Sequence, residues 1–334
     1  MTTAIMKKRT PLLSVIVPVY GTEDTLERCL DSILGSTYKN IEVIVVNDKS
    51  PGNASEIVKS YHNRDSRVNL VEHPFNKGLF LARLTGAQAA HGNYLAFLDS
   101  DDHVSVDFYR RLIEKAEATD SDMVIGEIYL QNKDTYTYFN LSHVRILDID
   151  VRKQAASRLL FDQEGKDFTL HVVWNKIYRK DLWEKCVPYF KLETKHLIMC
   201  EDVLYSSILF YFAEHITNIH GDFVYYVQAE ASSTGLGGSV VKFKKNIEDI
   251  LLVFDFLKTI FIDMIQDQSY WKNIEAWEEF LLSKWNYNIQ KSKFPKWQKK
   301  ELQKKIISYL VEHSLSICQG RVQFDPFGRL KVTQ

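Results

Sequence analysis

Apolar positions along this chain change period several times, and the changes lay out its elements. Leu13-Ser14-Val15-Ile16-Val17-Pro18-Val19 and Ile41 to Val46 are short, β-branched and apolar almost throughout. Runs of this length and content predict strands buried on both faces. Between them Leu26, Leu30, Ile33 and Leu34 recur at helical spacing. Thr22 stands where an N-cap belongs, with Glu23 and Asp24 in a first turn that favours acids. Lys49-Ser50-Pro51-Gly52-Asn53 is turn chemistry. A helix over Ser55–Tyr61, a strand at Val68–Val71 and a helix over Leu79–Ala90, closed by Gly92, follow. The strand Tyr94–Leu98, a helix over Val106–Ala118 and a strand at Met123–Tyr129 complete this half. Alternation with short connections predicts an α/β fold: a mixed, mostly parallel sheet flanked by helices.

Beyond residue 130 the pattern loosens. Gln131 to Leu141 alternates polar and aromatic residues and reads as a hairpin or a loop. Val151–Phe161 reads as a helix, a short helix begins near Asp181, and Cys200-Glu201-Asp202 opens another with Leu204, Ile208 and Leu209 apolar. Tyr225–Val227 is the last strand expected. Ala231 to Ser239, rich in glycine and serine, reads either as a linker or as a loop that closes over a ligand. Ile250, Phe254, Leu257, Phe261 and Met264 mark one amphipathic helix, and Ile274, Trp277, Leu281 and Trp285 a second. The expected organisation is an N-terminal extension over 1–10, an α/β unit over 11–230 divided near residue 130, and a linker with a helical region over 231–334.

Composition narrows the class. The 334 residues are 45% hydrophobic and 25% charged, ordinary for a soluble globular protein. A net charge of −1 gives no reason to expect a nucleic-acid partner. Cys29, Cys186, Cys200 and Cys318 are scattered without a C-x-x-C pair, which points to reduced thiols and a cytoplasmic setting. No apolar run approaches the roughly 20 residues that span a bilayer. The basic start, Met1 to Thr10, lacks the apolar core and cleavage site of a secretion signal.

The candidate chemistry sits at Leu98-Asp99-Ser100-Asp101-Asp102, where an apolar strand ends in three carboxylates within four residues. Acids this close repel unless a cation or hydrogen-bond donors neutralise them. Hard cations such as Mg²⁺ and Mn²⁺ take carboxylate oxygens and share their remaining positions with phosphates. The alternative is a solvated acidic turn that caps the next helix. Ligands of open α/β sheets bind beyond the carboxyl ends of the strands, and Tyr20-Gly21, Asp48 and Asp99 to Asp102 all fall there. The chain has neither G-x-G-x-x-G after its first strand nor G-x-x-x-x-G-K-[ST]. Without a glycine cradle, a metal is the natural holder of a diphosphate.

With these segments in order, the first 130 residues resemble the inverting family 2 glycosyltransferases of the GT-A fold. The resemblance rests on Ser14 to Tyr20, Leu26 to Leu34, Ile44 to Ser50, Asn76-Lys77-Gly78 with Arg83 and Gly86, and Leu98 to Asp102. Two positions depart from the family pattern: Gly21 stands where Asn is usual, and Lys49 where Gly is usual. The resemblance implies that Pro18, Tyr20 and Glu23 line a nucleotide cleft and that Asp48 contacts uracil or its ribose. It further implies that Arg83 and Ser100 lie by the donor, that Asp99 lies near the ribose and metal, and that Asp101 is the main metal ligand. Trp174-Asn175-Lys176 then borders an acceptor cleft, with buried packing the alternative for Trp174, and Asp202, ahead of Glu201, is the general base, with acids of a helix's first turn the alternative. His196 and His220 are weaker candidates for a further metal ligand. The implied activity moves a sugar from a UDP-sugar, with Mn²⁺ or Mg²⁺, to a hydroxyl of a glycan, lipid-linked or glycoprotein acceptor. Two readings compete: a haloacid-dehalogenase-like phosphatase, which also places D-x-D after a strand, and a non-catalytic glycan-binding or scaffold subunit. For residues 240–334 the choices are peripheral contact with the inner face of the membrane, a docked helical bundle with a solvated lysine face, or self-association.

Overall fold

The computed structural model describes residues 11–132, 135–139, 160–161, 168–190, 196–227, 239–313, 321–324 and 330–333. Its first half alternates strand and helix: β1 (Leu13–Val19), α1 (Glu23–Leu34), β2 (Ile41–Asn47), α2 (Ala54–Arg64), β3 (Val68–Glu72), α3 (Leu79–Ala89) and β4 (Tyr94–Phe97). A two-residue strand β5 (His103–Val104), helix α4 (Phe108–Thr119) and the hairpin β6 (Met123–Asn132) and β7 (Thr135–Phe139) follow. Next come β8 (Lys176–Arg179), α5 (Lys180–Cys186), α6 (Glu201–Phe212) and β9 (Ile216–Val227). Three long helices, α7 (Val240–Lys258), α8 (Gln268–Lys291) and α9 (Lys296–His313), precede a small hairpin of β10 (Arg321–Phe324) and β11 (Leu330–Thr333).

The sheet has nine strands among the described residues, in the order β3-β2-β1-β4-β8-β6-β9-β5, with β7 branching from β6. β3, β2, β1 and β4 run parallel. β8 enters antiparallel between β4 and β6, and β9 pairs parallel with β6. All seven residues of β1 are buried, as its unbroken apolar run requires. Gly92 serves a close approach: a Cβ there would stand 2.5 Å from Ser14 Oγ and 2.7 Å from the Leu12 carbonyl. The expected helix over Val151–Phe161 and the glycine-rich stretch from Ala231 lie almost wholly outside the described residues.

The helical region packs onto the α/β unit in one continuous core. Trp277 of α8 stacks on His171 at 4.3 Å, and the Tyr270 hydroxyl donates to the Ser207 carbonyl of α6. Within it, Glu278 is almost wholly buried and its Oε1 has no hydrogen-bond partner. Burial pushes its carboxyl up to about 8, with Glu275, Asp255 and Glu279 adding to the rise and a Tyr309 hydrogen bond opposing it. Because the folded value lies above the unfolded one, the neutral form's stability is present in full below about 4.5 and is lost as the pH rises through about 8. Glu278→Gln is therefore expected to raise the melting temperature at pH 9 and to leave it nearly unchanged at pH 5. Thermal unfolding of both proteins at the two pH values checks this.

Candidate active site

The acidic loop after β4 is bound to α1 by its own carbonyls. Thr25 Oγ1 donates to Ser100 O at 3.0 Å, Arg28 Nη2 to Asp101 O at 2.5 Å and Cys29 Sγ to Asp99 O at 3.7 Å. Residues 25, 28 and 29 share a face of the helix, which is why three donors reach one loop. Thr22 does not cap α1 with its side chain; its Oγ1 meets Ser100 Oγ at 2.6 Å instead. The cap position predicted from sequence is correct, and the hydroxyl is spent on the loop. With its carbonyls occupied, the loop leaves its carboxyl groups for other work. Burial, then the charge of Asp99, pushes the Asp101 carboxyl up to about 6. Asp102 points inward, accepts from the Val227 amide at 2.9 Å and is raised further by burial.

Arg83 joins this loop to the start of α6. Its Nη2 donates to Asp99 Oδ1 at 2.7 Å, and its Nη1 to Glu201 Oε1 at 2.9 Å and Asp202 Oδ1 at 2.6 Å. The guanidinium is 1% exposed, so these bonds form out of water, where charge pairing is strongest. α3 is held against α6 by Phe80 and Tyr205, whose rings stack at 4.7 Å and whose Tyr205 hydroxyl donates to Phe80 O at 2.8 Å. Burial raises both Glu201 and Asp202, each against the opposing charge of Arg83. Asp202 is the more open of the two: its side chain is 19% exposed against 7% for Glu201.

Asp48 is buried and organises the segment after β3. Its Oδ1 accepts from His73 Nδ1 at 2.7 Å and the Lys77 amide at 2.8 Å, and its Oδ2 from the Gly78 amide at 2.8 Å. Gly78 has φ +90°, and a Cβ on it would meet the Leu197 carbonyl at 2.8 Å. Glu23 Oε1 accepts from Ser50 Oγ at 2.5 Å and the Gly52 amide at 2.9 Å, tying α1 to the turn after β2. Tyr20, at the end of β1, is 55% exposed, an open aromatic at a strand's carboxyl end. Pro18 lies within β1, opposite Val46.

The two departures from the family pattern have one physical account. Gly21 has φ +68° and Lys49 φ +62°, both in the left-handed region that Gly and Asn tolerate best. Lys49 is the strained one. Lys49→Gly is expected to raise unfolding free energy by about 1 kcal/mol, measured by denaturant titration.

Trp174, Asn175 and Lys176 are buried within the protein, so the structure gives them a bracing job in place of a surface facing an acceptor. Trp174 stacks on Tyr226 at 5.2 Å. Asn175 Nδ2 donates to the Gly126 and Thr169 carbonyls, and Lys176 Nζ to Thr169 O and Asn175 Oδ1. The segment still bears on the site. The Val173 amide bonds the Asp202 carboxylate and the Lys176 charge lies near it, both favouring the ionised form.

His196 and His220 do not join the acidic loop. His196 Nε2 meets Asn76 Oδ1 at 2.8 Å, and His220 Nδ1 meets Glu127 at 2.8 Å. No group of three His, Cys, Asp or Glu side chains that could hold a metal is found among the described residues. Sequence reasoning did not single out His73, Thr25, Arg28 or Val173. Only the helical spacing of 25 and 28 with Cys29 could have signalled the α1 contribution; the others are set by tertiary placement.

Residues 14–188 match the model of Glycosyl transferase family 2. The chain is 36% identical over 199 residues to the uncharacterized glycosyltransferase EpsJ of Bacillus subtilis, covering 59% of this chain and 54% of that protein. It thus spans about half the length of this relative. Among solved structures, TarS 1-349 of S. aureus in complex with UDP-GlcNAc superposes with a TM-score of 0.56 at 17% identity, covering 96% of each chain. A mannosyltransferase of Pyrobaculum calidifontis in complex with GDP-Man and Mn²⁺ gives 0.53 at 14% identity, over 92% of this chain and 77% of that one. These likenesses show a shared fold.

Proposed function

Because this chain belongs to Glycosyl transferase family 2, we propose that it moves a sugar from a nucleotide sugar, UDP-linked by our reading, to a hydroxyl of a glycan, lipid-linked or protein-linked acceptor, with inversion at the anomeric carbon. The observation that carries this is the Arg83 junction, which sets the acidic loop and a partly exposed Asp202 around one buried cation. Asp202 takes the acceptor hydroxyl's proton as that oxygen attacks, the single carboxylate that an inverting transfer requires. Arg83 fixes its orientation, and Glu201, deeper and bonded to the same Nη1, holds Arg83 in place. Asp48 keeps the Asn76–Gly78 segment in position beside the nucleotide and has lone-pair capacity left on Oδ2. Tyr20, exposed just after β1, lines the nucleotide cleft in this reading together with Pro18 and Glu23.

A divalent cation suits these residues. Asp101 and Asp99 are hard oxygen donors; burial first and then the charge of Asp99 lift Asp101, a tension that a cation relieves. One or two carboxylates plus diphosphate oxygens is the usual complement for Mg²⁺. When bound, the ion offsets charge on the departing diphosphate. The UDP-GlcNAc complex of one structural neighbour and the GDP-Man and Mn²⁺ complex of another support a nucleotide-sugar donor and a metal in general.

The acidic loop follows the fourth strand, whereas the phosphatase alternative needs it on the first. A panel of UDP-, GDP- and dTDP-sugars with Mn²⁺, with and without EDTA, tests the proposal through released nucleoside diphosphate. EDTA-sensitive release from one donor is the expected outcome. Release of phosphate from simple phosphoesters, with none from any sugar nucleotide, would contradict it.

A further inference from the structure

The end of the helical region where α7 begins and α8 turns into α9 carries exposed aromatic and apolar side chains among lysines. Val241 is 78% exposed, Tyr287 47% and Trp297 65%. They share this end because Phe243 packs on Trp285 at 5.5 Å and on Phe294 at 5.0 Å, joining the start of α7 to the α8–α9 turn. Residues 291–305 hold seven lysines and one glutamate, a net charge of +6. Lys299 and Lys305 are engaged, the first on the Gln290 and Ser292 carbonyls and the second on Glu248. Lys291, Lys293, Lys296, Lys300 and Lys304 stay exposed. Trp297, Lys300 and Lys304 follow one face of α9, as Lys284, Tyr287 and Lys291 do on α8.

We infer that this end docks on an anionic phospholipid bilayer. An exposed indole and phenol ringed by flexible cations is what the interface of such a membrane accommodates: aromatic rings at headgroup level, ammonium groups on phosphates. A second copy of the chain fits poorly, since two faces of this charge repel. The Lys299 bonds hold the turn, so the surface is presented preformed. It also adjoins the site. Two residues beyond Phe243, Lys245 donates to the His196 carbonyl, and His196 bonds Asn76 beside the Asp48 segment. A bilayer under this end therefore lies next to the cleft. No helix among the described residues is long and apolar enough to cross a membrane, so the contact is peripheral.

Sedimentation of the full chain with sucrose-loaded vesicles, without donor or acceptor, tests this independently of the transferase reading. Binding to phosphatidylcholine vesicles containing phosphatidylglycerol, little binding to phosphatidylcholine alone, and release by salt are expected. The triple variant Lys293→Glu, Lys296→Glu, Lys300→Glu should bind at least about a hundredfold more weakly, from about 1 kcal/mol for each lysine lost and the added repulsion of each carboxylate. Trp297→Ala should weaken binding with its melting temperature unchanged. Absence of binding, equal binding by the triple variant, or a dimer by light scattering that Trp297→Ala dissolves would overturn the inference.

Discussion

Replacing Arg83 with Met is expected to cost about 3–5 kcal/mol of stability at neutral pH and to abolish sugar transfer. The reason is the company Arg83 keeps. One buried guanidinium answers Asp99, Glu201 and Asp202. A Met side chain fills the volume but leaves three carboxylates without a counter-charge, two of them already raised by burial. The pH dependence follows in sign. Without Arg83, Glu201 and Asp202 rise further above their unfolded values. The variant's deficit is then small at acidic pH, where these groups are neutral in the folded state of both proteins, and grows as the pH climbs through their wild-type folded values. Melting temperatures of wild type and variant at pH 4.5, below the folded values of about 7 for Glu201 and about 6 for Asp202, and at neutral pH should show the gap widening. Arg83→Lys should keep more stability yet little activity, because an ammonium cannot span three carboxylates with the geometry of a planar fork.

Asp202→Asn is expected to reduce kcat by about a hundredfold to ten-thousandfold while nucleotide affinity stays close to wild type. A carboxamide still accepts the Arg83 hydrogen bond, so the fold of the site survives. It cannot take a proton. In the wild type, the rate should fall as the pH is lowered, with a midpoint above the ordinary aspartate value of about 3.9, because burial disfavours the ionised form. That limb should vanish in the variant. Glu201→Gln should do less to the chemical step and more to stability, since Glu201 is the deeper partner of Arg83. Steady-state rates across pH with saturating donor separate the two.

The sequence made the first half of the fold legible because its strands are unbroken apolar runs and α1 and α4 have clean stripes. Period and turn chemistry are local properties, and these elements are decided locally. β8 escaped notice for the converse reason. Four residues, Lys176–Arg179, become a strand only because β4 and β6 stand on either side to pair with them. β9 begins nine residues before the strand expected at Tyr225, because its first part includes the polar positions His220, Gly221 and Asp222 that break the apolar pattern. At the site, the acidic loop announced itself by carboxylate density. The Arg83 junction did not, since Arg83 and Asp202 are 119 positions apart and nothing local marks them as partners. The expectation that Trp174 to Lys176 border an acceptor comes from the family resemblance of the W-N-K-x-Y segment, with buried packing of Trp174 as the alternative. The structure instead seals Lys176 with carbonyls, a use that only tertiary context can reveal.

The most direct test of the account is calorimetric titration of UDP, with GDP and dTDP alongside, into wild type, Asp101→Asn and Asp202→Asn, each with Mn²⁺ and with EDTA. The account predicts Mn²⁺-dependent binding of one nucleotide that Asp101→Asn removes and Asp202→Asn retains. Binding that ignores both EDTA and Asp101→Asn, or no binding of any of the three nucleotides, would contradict it.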